Sequence, residues 1–296
     1  MSLGDVASVT QRLAVLLAAG VAPVSAWEHA AASSPSAIPG VVVASGADPP
    51  DAIASAVASL DPLERGAWSG LAAAWAVATA AGAPLAPSLR GYATSLRALA
   101  GAQRDARVAL AAPVATARMV VALPGVGVLF GMALGFNTLA TLATTPVGWA
   151  CLAVGFVLIA IALRWNRRLL RAAEPTDAAP GLGCDLMAIA MSGGTSLDRA
   201  RVLVEAAVER FGLPATGTSV DDVLELSRRA GVPAGELLRS EADEQRRDAR
   251  ADAQERAATL SVRLMLPLGL CILPAFMVLG VVPLLVTVIS STVGTF

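Results

Sequence analysis

Three stretches of this chain carry no charged side chain over lengths that a soluble domain rarely tolerates: residues 119–142, 146–163 and 264–296. A helix crossing the roughly 30 Å hydrocarbon core of a bilayer needs about 20 predominantly apolar residues, and each run can supply one. The composition agrees, with 55% of the 296 residues hydrophobic, 15% charged and a mean hydropathy of +0.65. Aromatic residues are only 4%, so the apolar content rests on Ala, Val and Leu, and the segments outside the bilayer are expected to be helical too. Pro267, Pro274 and Pro283 fall in the last run. They predict bends rather than breaks, because neighbouring helices re-satisfy the carbonyls that proline frees.

Arginine placement sets the orientation, since basic residues flanking spans stay in the cytoplasm. Arg104, Arg107 and Arg118 precede the first run, Arg164, Arg167, Arg168 and Arg171 follow the second, and Arg250, Arg256 and Arg263 precede the third. The segment joining the first two runs and the tail after Ser290 have no basic residue. The expected architecture is therefore all-α and polytopic. Residues 1–118 form a first cytoplasmic helical bundle, 119–163 hold transmembrane helices 1 and 2 with a short external loop, 164–263 form a second cytoplasmic bundle, and 264–296 hold transmembrane helix 3 and a short external tail. Arg12 and the apolar run behind it imitate a signal peptide, but Asp5 spoils the basic start and the same pattern recurs deep inside the chain.

Several chemistries are excluded by what the chain lacks. All basic residues are Arg and the net charge is -1, so no global field draws nucleic acid. Cys151, Cys184 and Cys271 are far apart and form neither a disulfide framework nor a metal knuckle. His29 is the single histidine and has no partner motif, which leaves no triad, no Cys-His pair and no histidine-based zinc site. No catalytic residue, cofactor or metal is expected.

The chain also repeats itself, and repeats decide architecture. Residues 16–23, LLAAGVAP, correspond to 190–197, AMSGGTSL, with Ala26 matching Ala200. Further on, Ala81-Gly82-Ala83-Pro84 with Leu89, Arg90 and Ala93 matches Ala230-Gly231-Val232-Pro233 with Leu238, Arg239 and Ala242 at the same spacing, and Arg97 then coincides with Arg246. Gly20, Gly82, Gly194 and Gly231 each follow an apolar helical pattern, as a left-handed helix stop does, with the next helix beginning just behind. Both halves thus read as helix, glycine stop, helix, then a long helix running toward an apolar run. The halves differ in their connections: residues 31–50 read as a Ser, Pro, Gly and Val-rich insertion that the second half lacks.

These residues resemble the type II secretion system F family, the inner-membrane platform proteins of type II secretion, type IV pili and tight-adherence pili. The resemblance is carried by the short helix ending at Gly194 with Thr195-Ser196-Leu197 and Ala200, by Gly231-Val232-Pro233 with Leu237-Leu238, by the charged helix that follows, and by the closing apolar run. It implies a non-enzymatic, multi-pass platform in the cell membrane. Its implied partners are a cytoplasmic assembly ATPase, pilin-like subunits, membrane lipid, and a paralogous platform subunit or a second copy of itself. A small transporter or channel subunit is the alternative, although the three runs lack the intramembrane ionisable residues that mark a transport path.

Two surfaces invite a function. Residues 234–263 are the most charged segment, with Asp243 and Arg247, and Asp252 and Arg256, at the i,i+4 spacing of exposed helix pairs. Arg239, Asp243, Arg246, Arg247 and Arg250 form a candidate ATPase-docking face there, against the alternative of a solvated, self-bridged helix. Arg90, Arg97 and Arg104 recur every seven residues on one face, as a second docking candidate or as an anchor near anionic lipid. In the first apolar run, Gly127, Gly131 and Gly135 form a ridge where a second helix can approach closely.

Overall fold

A computed structural model describes residues 3–133, 145–172, 180–215, 217–283 and 285. Among them every regular element is helical. In chain order these are α1 (Leu3–Ala18), α2 (Pro23–Ser33), α3 (Ile38–Ser45), α4 (Pro49–Ala56), α5 (Pro62–Ala81), α6 (Leu85–Ala133), α7 (Pro146–Ala172), α8 (Leu182–Ser192), α9 (Leu197–Arg210), α10 (Thr218–Ala230) and α11 (Ala234–Arg263), followed by a closing apolar segment. The chain divides into two compact units. One is Met1–Arg104 with Pro175–Asp252, the other Asp105–Glu174 with Ala253–Phe296.

The first unit is organised by α5. After Arg65 its sequence carries no charge, and Ala67, Trp68, Leu71, Ala72, Ala73, Ala74, Trp75, Val77 and Ala78 are all buried. A helix apolar all round must be covered on every side. Helices α1 and α4 cover it from the first half, and α8 and α9 from the second. One core cluster consequently runs from Leu3 to Ala242. Residues from both stretches expected as bundles, 1–118 and 164–263, contribute to this one unit and its core.

Small residues set the spacing. A Cβ at Gly70 of α5 would lie 3.0 Å from Tyr92 Cζ and 3.2 Å from Leu182 Cδ2, so Gly70 is the seat on which α6 and α8 rest. The Tyr92 hydroxyl donates to the Ala67 carbonyl at 2.7 Å and fixes that contact. Residues 31–50 are more ordered than an insertion suggests, since they include α3, whose Ile38, Pro39 and Val42 are buried against the unit. Packing of that face against α2 overrides the weak helix preference of three consecutive valines.

In the second unit, the closing segment packs along α7. It is neither a plain helix nor a break. Short α turns at Met265–Pro267 and Leu273–Phe276 alternate with π turns at Leu268–Ile272 and Met277–Val281, a widening that accommodates the hydrogen bonds that prolines cannot make. Leu279 sits on Gly155 of α7, where a Cβ would be 2.5 Å from Leu279 Cδ1 and 2.7 Å from Cδ2. Two helical stretches, Pro146–Leu169 and Ala234–Val281, are long and apolar enough to cross a membrane. On α7 large apolar side chains point outward, Phe156 at 73% and Trp149 at 65% exposure. The remaining apolar run, 119–142, forms the end of α6 as far as Ala133 and then leaves the described residues.

Candidate functional site

The repeat gives the first unit two long helices with equivalent beginnings. Helix α5 ends on Gly82 at φ 69° and α10 on Gly231 at φ 66°, a left-handed conformation that costs a residue with Cβ about 1 kcal/mol or more. Prolines 84 and 233 follow, and α6 and α11 start at Leu85 and Ala234. Gly20 and Gly194 stand behind α1 and α8 with φ of 84° and 77°. Buried Leu89 and Ala93 on α6 correspond to buried Leu238 and Ala242 on α11, so each long helix presents the same apolar register to the core.

Each is then tied to the short helix that opens its own half. The register that aligns Gly20 with Gly194 places Gln11 on Asp185, and the register that aligns Gly82 with Gly231 places Arg97 on Arg246. In the first half Arg97 Nη1 donates to Gln11 Oε1 at 3.2 Å. In the second, Arg246 Nη1 donates to Asp185 Oδ2 at 2.8 Å. The same cross-link recurs at equivalent positions, to a neutral amide in one half and to a carboxylate in the other.

Asp185 and Arg246 line a cleft of about 430 Å³ together with Tyr92, Ser95, Arg239 and Asp243. The pair is largely withdrawn from water, with side-chain exposures of 16% and 11%. Arg246 Nη2 also reaches Asp243 Oδ1 at 2.6 Å, and the Ser95 hydroxyl adds a bond to Asp185 Oδ2 at 3.3 Å. Burial pushes the Asp185 carboxyl above its usual range, against the pull of Arg246 and Ser95. For Arg246 burial acts to lower the pKa, but Asp185 and Asp243 outweigh it and keep the guanidinium charged. Beside the cleft, burial raises the Cys184 thiol, and the Gln245 amide bonds Ser219 Oγ and Glu241 Oε1, each at 2.9 Å.

Comparison with known protein families, with curated proteins and with solved structures finds no match. The site therefore stands on its own geometry.

On the candidate docking face of α11, Arg246 faces inward and is paired with Asp185 and Asp243. Arg247 pairs with Glu244, three residues away, rather than with Asp243 at four. Arg239, Asp243 and Arg250 are exposed, Asp243 as the second partner of Arg246. Of the glycine ridge, Gly127 and Gly131 lie within α6, and Gly135 lies outside the described residues. The sequence reading missed Asp185, Ser95 and Gly193. A Cβ on Gly193 would lie 2.8 Å from the Ala81 carbonyl carbon and 3.0 Å from the Ala83 nitrogen, so the stop of α8 is pressed backbone to backbone against the stop of α5. Asp185 was within reach of sequence reasoning, since extending the α1 and α8 register nine residues back from the glycines puts it opposite Gln11.

Proposed function

We propose that this chain is a non-enzymatic inner-membrane platform of a pilus assembly or type II secretion-like machine, coupling a cytoplasmic secretion ATPase to pilin-like subunits. One observation carries the reading most of the way: two sequence-repeated helix pairs, α1 with α6 and α8 with α11, carry the same glycine stops and the same arginine cross-link. A platform that converts a motor's motion into movement at a membrane needs paired levers of this kind, each rooted in one soluble core and each running on into apolar sequence. The outward apolar side chains of α7 support a bilayer around the second unit, because a contiguous exposed apolar surface of this kind is otherwise an interaction site or an aggregation liability. The arginines that flank the apolar runs support three spans with residues 1–118 and 164–263 on the cytoplasmic side.

Deletion of the gene, followed by electron microscopy of surface fibres and co-purification of the tagged chain from solubilised membranes, tests this. Loss of fibres or of a secreted protein, restored by the full chain, together with recovery of a secretion ATPase, is the expected outcome. Unchanged fibres and secretion with impaired uptake or export of a solute would replace the platform with a transporter. Reporter fusions after Arg171 and at Thr141 should read cytoplasmic and external respectively.

A further inference from the structure

We propose that the face of α6 carrying Arg90, Arg97 and Arg104 is a docking surface for an acidic segment of a cytosolic protein; the inference rests on the platform reading, which requires such a partner. All three arginines are exposed, all three belong to the first unit, and none forms an ion pair among the described residues. Several other arginines of this unit are engaged within the chain, Arg12 and Arg65 by backbone carbonyls, while Arg199 and Arg239 also stand exposed without an ion pair among the described residues but outside any such stripe. Arg201 pairs with Asp221, Arg210 with Asp51, Arg228 and Arg229 with Glu225, Arg246 with Asp185 and Asp243, and Arg247 with Glu244.

The repeat says what the α6 stripe lacks. Where the second half supplies the carboxylate of Asp185, the first half supplies the amide of Gln11, whose single contact uses one of the five N–H donors on Arg97. An incoming carboxylate gives Arg97 the pairing that Arg246 has from within the chain. Arg90 and Arg104 lie about 10 Å to either side along the helix, at about 1.5 Å per residue, so the surface fits an acidic helix face or acidic stripe rather than a single anion. An anionic bilayer is the other source of negative charge. The two sources leave different products at the stripe, lipid adducts from a bilayer and adducts to an acidic segment from a protein.

The test uses the full chain in its native membrane, with a photo-crosslinking residue in place of Thr94, between Arg90 and Arg97, and in a second variant in place of Glu244 on α11. The Thr94 probe should capture a cytosolic protein, identified by mass spectrometry, through a segment rich in Asp and Glu. R90Q/R97Q/R104Q should cut that yield about tenfold or more, as removal of steering and pairing charges does, while R90K/R97K/R104K retains most of it. Lipid adducts alone, no protein adduct, or a yield indifferent to the glutamine variant would overturn the docking surface. If the captured protein is acidic at the mapped segment but hydrolyses no nucleotide, the surface stands and the platform reading fails. If a secretion ATPase is captured from the Glu244 position and not from Thr94, the platform reading stands and the α6 surface fails.

Discussion

The two halves of the first unit run the same plan with opposite wiring. At matched positions the first half has Gln11, Ala19 and exposed Arg97, and the second has Asp185, Gly193 and enclosed Arg246. Ala19 keeps its methyl group because it faces solvent, whereas Gly193 has given its side chain up to let Ala81 approach. Arg97 bonds a neutral amide, Gln11, at the surface, whereas Arg246 bonds a carboxylate, Asp185, inside a cleft. Duplication supplies two equal frames. Packing one of them against the other half's turn, and leaving the other open, assigns them different work: one half locks the core, and the other keeps an arginine available.

The largest expected effect lies at the turn-to-turn contact. Gly193→Ala adds a methyl group against a backbone carbonyl that cannot rotate away, and should cost about 2 to 3 kcal/mol, seen as a lowered melting midpoint of the full chain in detergent. Ala19→Gly, the reverse change at the matched exposed position, should cost less than about 1 kcal/mol. Equal effects at the two positions would mean that the halves are not packed asymmetrically.

Next comes the paired arginine. Arg246→Met leaves Asp185 without its counter-ion in a site it shares with little water, and should cost about 2 to 3 kcal/mol. Arg97→Met removes one exposed bond to a neutral amide and should stay within about 0.5 kcal/mol. Parallel denaturation of the two variants measures the difference directly, and a cost at Arg97 as large as that at Arg246 would erase the distinction between lock and free cation.

A smaller effect is carried by pH. Burial raises the folded-state Asp185 carboxyl above its unfolded value, so between those two values the native state holds a proton that the unfolded chain has lost. Its contribution to stability is complete below the ordinary carboxylate range and is lost as pH rises through the raised value. Asp185→Asn cannot titrate, so the melting midpoint of this variant should fall less than that of the natural chain over the same rise in pH. A steeper fall in the variant would reverse the assigned direction.

Much of the fold could be read from residue spacing. The glycine stops, the long helices behind them and the apolar character of α7 and the closing segment follow from local chemistry that needs no tertiary information. What could not be read is which surfaces meet. Separate bundles were expected because the halves are separated by two apolar runs in sequence, and nothing in a linear pattern says that an alanine-rich helix such as α5 will be covered by helices from both. Gly155, a lone residue with no motif in the sequence, receives Leu279 among the described residues. On α11, spacing alone paired Asp243 with Arg247, but the inward turn of Arg246 toward Asp185 takes Asp243 with it and leaves Arg247 to Glu244.

The smallest effect tests the comparison at its root. Gln11→Asp gives the first half the acid that the second half has at the matched position, and so should convert the Arg97 bond to a neutral amide into an ion pair. Because Arg97 is exposed, the gain in stability should be no more than about 0.5 kcal/mol, and it should shrink as salt is raised. Stability is the lesser readout. The same substitution occupies the guanidinium from within, so the yield of the Thr94 crosslink should fall although no arginine has been removed. A variant that gains the pair and still captures its partner at full yield would show that Arg97 is not the residue the partner needs, leaving Arg90 and Arg104 to hold it. A variant that loses stability at low salt would show that the two helix pairs, though aligned in sequence, do not bring their side chains to the same distance.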